Sequence, residues 1–91
     1  MLTLEDFSGS IGQDFEVRFS DATLSLRLAV AEARPHGVRE GGAFGLEFVG
    51  PQQPVLAQGT YTLHEGEREL EIFIVPISSD PDGTRYEAIF S

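Results

Sequence analysis

Glu65, Glu67, Glu69 and Glu71 stand two residues apart, the spacing that sets side chains on one face of an extended strand. Several carboxylate oxygens on one face form the kind of donor set a hard cation such as calcium takes. The same spacing describes a solvated strand face, where like charges also discourage edge pairing, and the residues favour that reading. Asp80-Pro81-Asp82-Gly83 carries the D-x-D-G opening of some calcium loops. An EF-hand needs a later carboxylate ligand and helical flanks, which the pattern around Asp80 lacks, so a plain turn is expected. His36 and His64 are the only histidines, and neither has a second His or Cys at a metal-ligand spacing. Both fall in expected loops or turns, where a solvated role is the simpler one.

Catalytic patterns are equally sparse. Ser8-Gly9-Ser10 and Ser78-Ser79 do not form a G-x-S-x-G elbow, and the glycines show neither G-x-G-x-x-G nor a Walker pattern. No acid–base pair can be singled out among fifteen acidic residues, most of which must be surface charge. A short strand-rich domain also has little room for a deep pocket. The expectation is a protein that is not an enzyme and holds no cofactor or metal.

The alphabet of the chain excludes further classes. Without cysteine there are no disulfides, thiolate metal sites or cysteine nucleophiles. All six basic residues are arginine, and against fifteen acids they leave a formal charge of -9. Nucleic-acid affinity comes largely from clustered cations, so neither nucleic acid nor an anionic membrane is an expected partner. No run is long and apolar enough to cross a bilayer, and the start Met1-Leu2-Thr3-Leu4-Glu5-Asp6 is not a signal peptide. The cytoplasm is therefore the default compartment, although packaging into a particle would leave no such mark.

What must position these residues is a single domain, since 91 residues leave no space for a second core. Residues 2–8 suit one short helix, with Thr3 as cap, Asp6 three positions on, and Leu4, Phe7 and Ile11 at helical spacing. After that the chain reads in twos. Strands are expected near 13–19, 23–33, 43–49, 58–63, 69–77 and 84–90. Phe15, Val17 and Phe19 share a face of the first, Leu24, Leu26, Leu28 and Val30 of the second, and Tyr86, Ala88 and Phe90 of the last. Residues 34–42 and Pro51-Gln52-Gln53-Pro54 are connectors, and His64-Glu65-Gly66-Glu67 and Asp80–Gly83 are turns. The fold class is all-β: a six-stranded antiparallel sandwich or small barrel with one short N-terminal helix.

One strand departs from simple alternation. In Glu69–Ile77, Leu70, Ile72 and Ile74 point one way, while Phe73, Val75 and Ile77 make the opposite face apolar as well. A strand in a two-layer protein needs one apolar face, so something must cover the second. The N-terminal helix is the first candidate, with Leu4 and Phe7 over Phe73 and Val75. The other is a second subunit or a protein partner, which makes Phe73, Val75 and Ile77 the candidate interface. Pro76 cannot donate to a ladder and marks a bulge or sheet edge. Arg85 is near enough to Asp80 and Asp82 to tie down their turn through a bidentate pair.

Leu46–Pro51, Pro54–Leu63, Leu70–Ile77 and Asp82–Phe90 resemble a family of small bacterial domains of unknown function, as does the segment Leu4-Glu5-Asp6-Phe7. The likeness covers nearly the whole chain, and its C-terminal half is the more specific. Members of that family are often encoded near phage-tail collar-like proteins. The resemblance implies an accessory or structural role in a tail-derived fibre or particle, and it brings no catalytic residues. The first expectation is thus a non-catalytic interaction or assembly module, acting through a sheet edge or through the Phe73/Val75/Ile77 face, with a protein partner or a second copy. The alternative is a β-module that binds a carbohydrate or other small ligand with Tyr61, Tyr86 and His64 around one end.

Overall fold

The computed structural model describes residues 2–34 and 42–90, and most of the expected connector at 34–42, His36 included, lies outside the described residues. The chain runs α1 (Glu5–Ser8), β1 (Asp14–Arg18), β2 (Thr23–Arg34), β3 (Ala43–Gly50), β4 (Gly59–Glu65), β5 (Arg68–Asp80) and β6 (Gly83–Phe90). Every neighbouring pair is antiparallel, and the order β1-β2-β3-β6-β5-β4 closes into a barrel. The sandwich is thereby set aside. The ring shuts where Glu16 pairs with His64 and Val17 with Leu63, between β1 and β4. Among the described residues no helix is long and apolar enough to cross a membrane.

Alternation fills the interior. Phe15, Leu26, Leu63, Ile72 and Tyr86 are buried, while the residues on either side of each are more exposed. Two irregularities change which residues face in. A register shift between Leu28 and Val30 lets Ala31 pack on the core opposite Leu46, while Val30 moves to the outside opposite Glu47. Val30 therefore does not share the buried face of Leu24, Leu26 and Leu28, as simple alternation would have it. A second shift, between Pro76 and Ser78, sits where the missing proline N–H requires a break in the ladder. Phe19 is 44% exposed because β1 ends at Arg18 and the Phe19 N–H turns back to the Ala22 carbonyl at 2.7 Å.

The helix is one turn long, shorter than the expected 2–8. Leu4, not Thr3, is the N-cap and makes no side-chain cap bond; Asp6 instead reaches back to accept the Thr3 backbone N–H at 2.7 Å. A turn of this length has no stability of its own and depends on tertiary packing. Phe7 supplies it. Its ring is wholly buried, with centroids 6.4 Å from Phe15, 5.9 Å from Phe44 and 6.1 Å from Phe90. From the β4–β5 hairpin, Arg68 donates to the Asp6 carbonyl at 2.9 Å and fastens the turn in place. Ile11, beyond the helix, stays exposed. The expectation that Leu4 and Phe7 cover Phe73 and Val75 is overturned: Phe7 plugs the end of the barrel among Phe15, Phe44 and Phe90, and Phe73 stays exposed.

The other connector crosses residues 51–58. Leu56 is buried, and its N–H donates to the Tyr86 hydroxyl oxygen at 2.9 Å. Tyr61 Oη donates to the Ala57 carbonyl at 2.7 Å, and Gln52 Nε2 to the Asp80 carbonyl at 2.8 Å. At the β5–β6 turn Gly83 has φ +134°, and a Cβ there would lie 2.0 Å from the Gly50 carbonyl oxygen, so glycine is required on both counts.

Candidate functional site

The barrel wall formed by β3, β6 and β5 carries the exposed apolar residues that the sequence assigns to an interface. Phe73 is 52% exposed and Ile77 47%, with Val75 between them half-buried. They oppose Ile72 and Ile74, which are buried in the core, so the division of this strand into two apolar faces holds. The register adds β6. Val75 pairs with Glu87, and two residues further along each strand stand Phe73 and Ile89, the latter 43% exposed. Glu87 pairs in turn with Glu47, and Glu47 with Val30, making one exterior row across four strands. Alternation assigns Glu87 and Ile89 to the outside of β6, but only the strand order places them beside Phe73 and Val75.

The charges in this wall are unequally matched. Arg85 Nη1 donates to Glu47 Oε1 at 3.1 Å and Arg85 Nε to Asp80 Oδ2 at 3.4 Å. The hydrogen bonds it gives to Glu47, then to Asp80, hold the guanidinium above its ordinary pKa. Arg85 thus bridges Asp80 and Glu47, where the sequence suggests Asp80 and Asp82. Asp82 instead gives its N–H to Asp80 Oδ1 at 2.9 Å, closing the turn. Glu87, half-buried beside Val75, makes no ion pair or side-chain hydrogen bond with any described residue. Arg34 lies over Gly45 next to Ile89, at the border of the wall.

The four spaced glutamates do not act together. Glu65 pairs with Arg68, Glu69 Oε1 lies 3.8 Å from His64 Nδ1, and Glu67 and Glu71 are exposed. Among the described residues no three His, Asp or Glu side chains converge to hold a metal ion. Tyr61, Tyr86 and His64 do not share a rim. Tyr86 is inside the barrel with its oxygen bound to Leu56, and His64 and Tyr61, separated by odd parity on β4, face opposite sides.

A family model, "Domain of unknown function (DUF6916)", matches residues 2–90. The chain belongs to the DUF6916 family. The DUF6916 match takes in the helix, all six strands and the β3–β6–β5 wall, so the Phe7 plug and the exposed face lie within one family unit. No curated protein and no solved structure matches the chain.

Proposed function

We propose that this DUF6916 chain is a non-catalytic interaction or assembly module that works through the exterior face of β5 and β6. The observation that carries the reading is Phe73, 52% exposed on the outside of a barrel whose interior is already filled. Large aromatic side chains left in water beside further exposed apolar residues are characteristic of contact surfaces. Strand addition, the other route suggested by the sequence, loses its support because the ring closes on itself. The likeness to domains encoded beside phage-tail collar-like proteins favours an accessory or structural place in a tail-like fibre or particle. That setting is part of the proposal.

Phe73→Glu and Val75→Glu test it. Both variants are expected to keep β-sheet circular dichroism and cooperative unfolding while losing whatever complex the wild-type chain forms, with itself or with an added apolar peptide, in sedimentation or light-scattering runs. A chain that unfolds outright with either change would assign the face to the core and end the reading. Association at wild-type strength in both variants would do the same.

A further inference from the structure

We infer that the occupant of this face is a cationic, apolar segment of a different protein, not a second copy of the chain; the inference rests on the reading of the face as an interface. Glu87 decides it. The residue is half-buried in the row Val75–Glu87–Glu47–Val30, beside an apolar residue on one strand and an acid on the other. Glu47 is neutralised by Arg85, whose guanidinium is already shared with Asp80. No described cation lies within ion-pair distance of Glu87. An acid in a half-buried position without a close ion pair is less favourable than a paired one.

An arginine or lysine arriving from outside supplies that pair. Phe73, Val75, Ile77 and Ile89 around it would exclude water as they are covered, and the ion pair gains strength in the drier setting. A second copy offers the wrong chemistry. A two-fold dimer brings a second copy of the same surface, and with it a second formal charge of -9, against the first. A basic partner is instead drawn toward it from a distance.

The test uses the full chain and three soluble peptides of equal length, composed of Leu and Arg, Leu and Glu, or Ser and Arg. The Leu/Arg peptide is expected to bind more tightly than the other two, and less tightly as salt rises. Phe73→Ser should weaken that binding about tenfold or more and Glu87→Gln about fivefold, while Glu67→Gln, an exposed acid in the β4–β5 turn, leaves it unchanged. Equal loss in the Glu67 and Glu87 variants would mean diffuse charge attraction and overturn the inference. So would Phe73-dependent binding of the Leu/Glu peptide, or Phe73-dependent self-association, and either result would leave the face itself an interface. Absence of any Phe73-dependent binding would remove both proposals together.

Discussion

The ring of Tyr86 lies wholly inside the barrel while its oxygen accepts the Leu56 N–H. One side chain therefore fills core volume and satisfies a buried backbone donor in the 51–58 connector. Tyr86→Phe keeps the volume and strands the N–H, which costs about 1–3 kcal/mol. Urea titration should show that loss, and amide exchange at Leu56 should quicken more than exchange in β3. The burial of Tyr86 is legible in the alternation Tyr86, Ala88, Phe90. Its hydrogen bond is not, because Leu56 is thirty residues away and nothing local ties the two together. The same division governs Phe73: its outward direction follows from parity, but its neighbours Glu87 and Ile89 follow only from the order of the strands.

At the scale of elements, α1 shows how a segment too short to hold itself can still decide a fold. Phe7 reaches Phe15 on β1, Phe44 on β3 and Phe90 on β6, so one residue joins three strands at the barrel's end. Phe7→Ala should cost about 3–5 kcal/mol in equilibrium unfolding and raise binding of a hydrophobic dye to the opened end. A loss under about 1 kcal/mol would show that the end needs no plug. The sequence locates this turn through Thr3, Asp6 and the Leu4–Phe7 spacing, yet it misplaces what the turn covers. Helical periodicity identifies which side chains are apolar on a common face. The direction in which that face docks depends on Arg68 and Asp6, brought together from 62 residues apart. The β2 bulge was hidden for a related reason. Val30 and Ala31 are both apolar enough for either face, and pairing with Glu47 and Leu46 chooses between them.

As a whole the molecule is an acidic, filled ring whose principal extents are 37 × 29 × 22 Å. Strand-like alternation along most of the chain and two well-marked turns make the all-β class legible, while the choice of barrel over sandwich rests on one pairing that no local pattern encodes. That pairing has a consequence for the order of events in folding. β2–β3, β4–β5 and β5–β6 join strands adjacent in sequence, and they can form early. The β1–β4 seam joins Val17 to Leu63 across a stretch containing both β2 and β3, and it consists of only two paired positions. Loop-closure entropy must be met in full before so few bonds return it, which makes the seam the last contact to form and the first to part. Val17→Ala, at a buried position, should therefore accelerate unfolding while leaving the refolding rate nearly unchanged in stopped-flow experiments. A slowed refolding limb would instead place ring closure inside the transition state. With closure last, the chain passes through a stage in which β1 and β4 are both open edges, and its exposure to aggregation is concentrated in that interval.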